Sequence, residues 1–357
     1  MGDRGTAGGQ MTLESGGGLW RTAAGDFPIA GAGPGPNAPP PVVQPSAHCR
    51  IGAARRDVTP PVGIYNRNWG AAVSDVASGV HQAFYVTALA FAPLEPTGAA
   101  EGEGPLLAVT IDLGWLFKGE TDELSAAVSA ATGVSTPRLL ISLSHTHAGP
   151  SMTRPFTEPN CPGGQLALAW WATLKTAAAE AGREALAAMQ PAWLRGATGR
   201  CDLAQNRDHF DQDLESWVCG YNGDETSPGY VTPDDTLVAC VAHADNGETL
   251  CSLCNYGCHP VCLGIPNGLL SPDWPGTCRE TVAAATDGKP CFFMLGCCGD
   301  TNPMRCVCDD VKVAEAAGRR VGYAAAAALE GLLPAGAQLS YKVRRSVSVS
   351  CQGCLTN

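Results

Sequence analysis

The sequence predicts an α/β fold in which helices cover a mixed β-sheet, arranged as a single large domain. Short, continuous apolar runs typical of buried strands alternate with longer segments whose apolar residues recur at helical spacing. Two strand-like runs flank Asn246-Gly247, a dipeptide that favours a tight hairpin turn, so the sheet cannot be purely parallel. No internal repeat and no low-complexity linker follows residue 50, which favours one domain over two.

The first part of the chain differs in composition from the rest. Residues 1–47 are rich in Gly, Pro and Ala and show no apolar period, which predicts a disordered tail before a domain spanning residues 48–357. The tail lacks the apolar core of a secretory signal, and no stretch of the sequence is apolar over the length that a membrane span needs. The compartment therefore stays open, with the cytoplasm as the default.

The predicted elements of the domain follow one another from residue 49. Strands are expected where an apolar run is short, and helices where a run is long or begins with acidic residues. In chain order they are strands in AFYVTALAFAP and LLAVTIDLGWL, a helix in TDELSAAVSAAT, a strand in RLLISLSHTH, a helix in GQLALAWWATLKTAAAEAGREALAAMQP, the hairpin TLVACVAHADNGETLCSLCNYG, a helix near residues 276–286, a strand in CFFMLG and a helix in VKVAEAAGRRVGYAAAAALEGLL.

The composition restricts the partners of the protein. With a formal net charge of −11, the chain lacks the basic surface that phosphate binding requires, so nucleic acid is excluded and a small-molecule or lipid substrate fits better. The 17 cysteines are odd in number and scattered, which indicates a reducing compartment. We interpret them as buried thiols rather than a structural zinc site, because Cys251 and Cys254, three apart in a predicted strand, would face opposite sides of the sheet.

A pair of histidines ends the third predicted strand, in the segment SLSHTHAGP. Residues two apart in an extended chain lie on one face, so His145 and His147 are expected to project to the same side. Two such imidazoles can bind one metal ion, or one can bind it while the other acts on its water. Because two buried histidines without partners would cost free energy, we interpret the pair as functional.

Two more strand ends carry polar residues. His259 follows a strand in NYGCHP and mirrors the placement of His145. Asp112 ends the strand LLAVTID and could orient a histidine. Because sites gather at the strand ends of α/β sheets, we expect His259 to lie beside His145.

The loop GCCGDTNP also follows a predicted strand. Its glycines permit a tight turn with inward-facing backbone N–H groups, and Asp300, Thr301 and Asn302 add polar atoms. Taken alone, the loop also suits a turn with Asx hydrogen bonds. The sequence contains no G-x-S-x-G elbow, no H-E-x-x-H helix, no P-loop and no dinucleotide fingerprint.

Eight segments occur in the order seen in a known family: IGAARRDVTPPVGI, SGVHQAF, TIDLGWL, SLSHTHAGPS, AQNRD, NYGCHPVCLG, SPDWPG and GCCGDTNP. Together they resemble the N-terminal catalytic region of the neutral/alkaline, non-lysosomal ceramidases. The resemblance is strongest to the bacterial ceramidase-like proteins and runs from residue 50 to residue 305.

The resemblance implies a zinc amidase that cleaves the N-acyl bond of ceramide and has peripheral contact with a membrane. Zinc lowers the pKa of bound water to about 7 and polarises the amide carbonyl. Carried over by motif, the assignment is His145 and His259 as metal ligands, His147, Arg207 and Asn302 as catalytic residues, and His81, Asp300 and Thr301 as substrate-binding residues.

Two departures from the family pattern stand out. Asn302 replaces the serine of the family's Gly-Asp-x-Ser-Pro loop, and the family's other zinc ligands, a glutamate and a tyrosine, have no counterpart before Asn357. We therefore expect a C-terminally incomplete domain that binds zinc more weakly than a full-length relative and has little amidase activity. The carboxylates available to complete the site are Asp112, Asp273 and, least favoured, Asp300.

The expected function is a zinc-dependent, ceramidase-like hydrolase of sphingolipid metabolism that cleaves an N-acyl amide bond. One alternative is a metallohydrolase of the same fold that acts on a non-lipid substrate. Another is a catalytically silent binding module that keeps the pocket without a complete site. The oligomeric state is not determined by the sequence.

Overall fold

A computed structural model describes residues 19–22, 25–28, 45–95, 104–220 and 231–332. The chain divides into two units, residues 1–43 and residues 44–357. In the first unit, β1 (Leu19–Thr22) pairs with β2 (Gly25–Pro28) as an antiparallel hairpin. The predicted disordered tail over residues 1–47 otherwise lies almost wholly outside the described residues.

The second unit contains the remaining elements. Its strands are β3 (Ser46–Asp57), β4 (Gly79–Val80), β5 (Tyr85–Ala92), β6 (Leu106–Ile111), β7 (Leu139–Leu143), β8 (Gln190–Arg200), β9 (Ala204–Asn206), β10 (Asp208–Asp211), β11 (Ser216–Cys219), β12 (Thr236–Ala244), β13 (Thr249–Tyr256), β14 (Leu269–Leu270), β15 (Cys291–Leu295) and β16 (Thr301–Pro303). Its helices are α1 (Lys118–Thr132), α2 (Thr153–Thr157), α3 (Gly164–Ala187), α4 (Trp274–Ala285) and α5 (Val311–Glu330).

Eight strands form one mixed sheet in the order β15-β13-β12-β8-β3-β5-β6-β7. The outer pairs β13–β15 and β6–β7 are parallel, and the pairs between them are antiparallel. Asn246-Gly247 joins β12 to β13, and Gly247 has the positive φ of 88° that such a tight turn favours. The predicted α/β class and the mixed sheet are therefore confirmed.

The sheet curls so that β15 approaches β5, β6 and β7 across its inner face. The Thr110 hydroxyl of β6 donates a 2.8 Å hydrogen bond to the Phe293 carbonyl oxygen of β15 across this gap. An inner core fills the space between the two halves and includes Ile51, Leu89 and Phe292. Strands β5, β6 and β15 are buried along most of their length and read as continuous apolar runs, whereas the central strands β3 and β8 also carry charged residues.

The helices cover the outer face of the curled sheet. Helix α3 packs on β3 and β5, while α4 and α5 pack together over β8, β12, β13 and β15. At Gly52 of β3, a Cβ atom would lie 2.0 Å from the Ala185 carbonyl oxygen, so glycine is required for the close approach of α3. None of the helices in the described part of the chain has the length and apolar character needed to cross a bilayer.

Candidate metal centre

The segment after β7 turns sharply instead of continuing as a strand. Strand β7 ends at Leu143, and His145 adopts a positive φ of 62°, a left-handed conformation that is costly for a residue with a side chain. The His145 backbone N–H donates to the Leu113 carbonyl oxygen at 2.9 Å, which holds the turn. The two imidazoles thus converge, but not through strand alternation as the sequence predicted; the turn brings His147 back toward His145.

His259 reaches the same point from β13. At the strand exit, a Cβ atom on Gly257 would lie 2.4 Å from the Cys297 carbonyl oxygen, so only glycine lets the two loops pack this closely. The His259 backbone N–H then donates to the Thr301 carbonyl oxygen at 3.3 Å. These contacts place the His259 ring centroid 4.7 Å from that of His145, the proximity expected from the two motifs.

The three imidazoles direct their Nε2 atoms to one point. His145 Nε2 lies 3.1 Å from His259 Nε2 and 3.4 Å from His147 Nε2, and His147 Nε2 lies 3.2 Å from His259 Nε2. The Nδ1–H group of His145 donates to the Gly114 carbonyl oxygen at 2.7 Å, and that of His259 to the Cys298 carbonyl oxygen at 2.9 Å. These bonds select the tautomer in which Nε2 carries the lone pair.

This geometry fits a zinc ion. With zinc–nitrogen bonds of 2.0–2.1 Å, two ligands of a tetrahedral ion stand about 3.3 Å apart, close to the observed nitrogen separations. Within the described part of the chain, His145, His147 and His259 are the one group of three side chains able to hold a metal. The sequence predicted His145 and His259 as metal ligands and His147 as a catalytic residue, and the turn at His145 brings the His147 imidazole to the same point as the other two.

Burial keeps the three histidines neutral. It lowers the pKa of His145, lowers that of His147 to about 2 and lowers that of His259 to about 4. The neighbouring imidazoles and the positive charge of Arg207 lower the pKa of His147 further. Neutral imidazole is the form that binds metal, so the site is prepared for a cation without loss of protons.

Arg207 lies within electrostatic range of all three imidazoles, and its charge lowers each of their pKa values. Its backbone N–H donates to the Asp300 carbonyl oxygen at 2.8 Å, which ties β9 to the loop after β15. Its Nε atom is buried and has no partner among the described residues. A positively charged guanidinium therefore lies near the candidate metal site.

The loop after β15 contacts both Arg207 and His259 through its backbone carbonyl groups. Thr301 and Asn302 are buried and belong to β16, which pairs with β9, while Asp300 is exposed at the tip of the loop. The Thr301 hydroxyl donates to the Cys298 carbonyl oxygen at 3.4 Å. The Asn302 side-chain amide lies 3.9 Å from the Cys306 sulfur.

His81 is not a member of the group of three histidines. Its Nδ1 is 2.9 Å from the Ser271 hydroxyl and its Nε2 is 3.2 Å from a Glu315 carboxylate oxygen, so both ring nitrogens are engaged. Ser271 is in turn linked to the histidine segment, because its backbone N–H donates to the Ala148 carbonyl oxygen and its own carbonyl accepts from the Thr146 hydroxyl. These hydrogen bonds connect His81 to the histidine segment through Ser271.

The candidate carboxylates do not join the histidines. Asp112 forms a buried, two-pronged ion pair with Arg279 at 2.6 and 2.7 Å and also accepts from the Tyr85 backbone N–H. The expectation that Asp112 orients a histidine is wrong, because the Gly114 carbonyl, two residues later, does so for His145. The Asp273 carboxylate accepts hydrogen bonds from the backbone N–H groups of Cys262, Leu263 and Trp274. The last of these caps the N-terminus of α4.

Two tryptophans and an asparagine, which the sequence analysis did not single out, border the histidine cluster. The ring centroids of Trp69 and Trp115 lie 4.9 and 5.5 Å from that of His147. The Asn68 side-chain N–H group donates to the Gly149 carbonyl oxygen at 2.6 Å. No spacing in the sequence connects residues 68 and 69 with residues 145–149, because the contact depends on tertiary packing.

Comparisons with known proteins show a shared fold. No protein-family model and no curated protein matches the chain. A neutral ceramidase from Pseudomonas aeruginosa matches with a TM-score of 0.62 and 20% identity, over 81% of this chain and 45% of that chain. A ceramidase complexed with C2 matches with a TM-score of 0.62 and 17% identity, over 81% of this chain and 44% of that chain.

The chain has a neutral-ceramidase fold. It spans less than half the length of these two ceramidases. In this ceramidase-like fold, the three histidines stand where the segments after β7 and β13 meet.

Proposed function

We propose that the chain is a metal-dependent hydrolase that cleaves an N-acyl amide bond of a ceramide-like lipid, with zinc bound by His145, His147 and His259. The observation that carries this proposal is the convergence of three neutral imidazole nitrogens at zinc-ligand spacing. Zinc in such a site polarises a carbonyl group and lowers the pKa of water to about 7. The fold shared with two ceramidases supports an amide of a lipid as the substrate.

The protein's own groups orient the ligands and compensate charge. The carbonyl oxygens of Gly114 and Cys298 hold the rings of His145 and His259, so little reorganisation is needed when a metal binds. Arg207 supplies a positive charge toward the same space, where it can stabilise the negative charge that develops on the acyl oxygen or the carboxylate product.

The loop after β15 completes the proposed pocket. We assign Asn302 a catalytic role beside Arg207, and Thr301 and Asp300 a role in substrate binding. Thr301 supports His259 through its backbone carbonyl, and Asp300 supports Arg207 in the same way. We also assign a role in substrate binding to His81, whose Nδ1 atom is hydrogen-bonded to the Ser271 hydroxyl.

Metal content and turnover test the proposal together. The purified chain is dialysed against metal-free buffer, its zinc is measured by mass spectrometry, and hydrolysis of a fluorogenic N-acyl lipid is followed before chelation, after chelation and after zinc is restored. The sequence assigned only two histidine ligands and so led to an expectation of weak zinc binding and little activity. Because three imidazoles converge in the structure, we instead expect one zinc per chain and a loss of turnover on chelation that zinc reverses. The variant His145→Ala should lose both properties, and the control His48→Ala, whose ring stacks on Trp193, should keep both.

The other outcomes separate the alternatives. Zinc with hydrolysis only of short, non-lipid amides would replace the lipid substrate with a soluble one. Zinc with no turnover of any amide would favour a binding module. Absence of bound zinc, or equal zinc in His145→Ala and the parent chain, would overturn the metal site itself.

A further inference from the structure

A groove on the protein surface, here called the α5 groove, lies beside the first turns of helix α5 and has a volume of about 250 Å³. Its floor is apolar and is formed by the buried side chains of Leu203, Val313 and Ala317, with the exposed Met304 side chain beside them. None of the residues assigned to the metal site or to substrate binding lines this groove. The α5 groove is therefore a candidate ligand site of its own.

The rim of the α5 groove is positively charged. Arg305, Lys312 and Arg320 all line it, against the one carboxylate of Asp310. That carboxylate also caps the start of α5, where it accepts from the Lys312 backbone N–H at 3.0 Å. The groove thus carries a local surplus of positive charge on a chain whose formal net charge is −11.

The three cations differ in the partners that they already have. Arg320 Nη2 lies 2.5 Å from an Asp202 carboxylate oxygen, and Arg320 Nη1 lies 3.9 Å from the Met304 sulfur. Arg305 and Lys312 have no ion-pair partner among the residues that the structure describes. Two cationic side chains at one rim are therefore available to an anionic group.

The apolar floor and the cationic rim together restrict the ligand. Guanidinium and ammonium groups pair with carboxylates, whereas a buried apolar floor gains free energy only by contact with an apolar chain. A small polar anion leaves the floor in contact with water, and an uncharged lipid leaves both cations unpaired. The negative net charge of the protein repels an anionic bilayer surface, which favours a monomeric ligand over a membrane.

We propose that the α5 groove binds a monomeric amphiphilic carboxylate, such as a fatty acid. The carboxylate head lies at Arg305 and Lys312. The first methylene groups of the tail lie over the floor at Leu203, Val313 and Ala317. This site is separate from the metal centre, and the inference does not depend on the proposed hydrolysis.

The experiment compares three water-soluble ligands that divide the carboxylate into its parts. Octanoate has the head and the tail, acetate has the head alone, and 1-octanol has the tail alone. Ligand-observed NMR titrations of the intact chain, treated with a chelator so that no carboxylate binds a metal, give the three values of Kd. We expect octanoate to bind at least about tenfold more tightly than acetate or 1-octanol, and more weakly as salt screens the exposed charges.

Variants in the groove test the position of the head group. Arg305→Gln/Lys312→Gln should weaken octanoate binding about tenfold, because it removes two solvent-exposed charge pairs. Ala316→Glu adds an opposing charge at an exposed position that lines the groove, and should abolish binding. Arg319→Gln is the matched control, since it removes a cation from the same helix outside the groove, where Arg319 pairs with Glu315 at 3.6 Å. It should keep the parent affinity.

Four results would overturn the proposal. The first is equal affinity for octanoate and 1-octanol, and the second is unchanged octanoate binding in both Arg305→Gln/Lys312→Gln and Ala316→Glu, which would place the ligand elsewhere on the chain. The third is an equal loss in Arg319→Gln, since it would indicate a response to net charge alone. The fourth is binding to vesicles of anionic phospholipid without binding to octanoate, which would replace the monomeric ligand with a membrane surface.

Discussion

The variant Arg279→Met should destabilise the fold by about 3–5 kcal/mol, because it breaks a buried ion pair and leaves its carboxylate behind. The side chains of Arg279 and Asp112 are 3% and 0% exposed and are joined by two hydrogen bonds of 2.6 and 2.7 Å. Without the guanidinium, the Asp112 carboxylate keeps the Tyr85 backbone N–H as its hydrogen-bond donor. One neutral donor cannot compensate a buried charge.

Urea denaturation followed by circular dichroism measures the loss as a change in the free energy of unfolding. The double variant Asp112→Leu/Arg279→Met should recover most of it, since replacing both members of a buried pair by apolar residues is often nearly neutral. Arg200→Met, which removes an exposed pair with Asp235, should cost less than about 1 kcal/mol. A loss below about 1 kcal/mol in Arg279→Met, or a double variant less stable than the single one, would refute the reasoning.

Three further predictions concern the metal site and its supports. Zinc added to the chelated chain should stabilise it by about 2.7 kcal/mol at a free concentration one hundred times Kd, as a rise in melting temperature that His259→Ala abolishes; an equal rise in the variant would contradict the site. Burial raises the pKa of Asp273 to about 6, so its neutral form contributes stability that is complete below the unfolded pKa near 3.8 and is lost as pH rises through 6. The stability of the parent chain relative to Asp273→Asn should therefore fall by an amount on the order of 2 kcal/mol between pH 4 and 6.5, and a flat difference would exclude the shift. Gly257→Ala should lower both stability and zinc content because its Cβ meets a carbonyl oxygen at 2.4 Å, whereas Gly299→Ala, with open space around it, should change neither.

Much of the architecture follows from local sequence patterns. Apolar runs and helical periodicity predicted the mixed sheet with its covering helices, because both signals depend on residues a few positions apart. Asn246-Gly247 predicted the hairpin between β12 and β13 from the backbone preferences of two residues alone. The motifs around His145 and His259 predicted that two histidines from separate strand ends lie together, since strand ends of such sheets gather their functional residues.

Tertiary packing decided the features that the sequence does not encode locally. The sequence placed His147 on a strand, but the strand ends at Leu143 and the left-handed turn at His145 makes the third imidazole available to the same point. The curl of the sheet, which brings β15 against β6, is likewise a property of the packed core rather than of any one strand. The packing of Asn68 and Trp69 beside the histidine segment depends on contacts across 78 or more residues of chain, such as the hydrogen bond between Asn68 and Gly149 with a sequence separation of 81. Local propensities therefore determine which elements form and where polar residues end them, whereas long-range packing sets the distances between side chains on which metal binding and recognition depend.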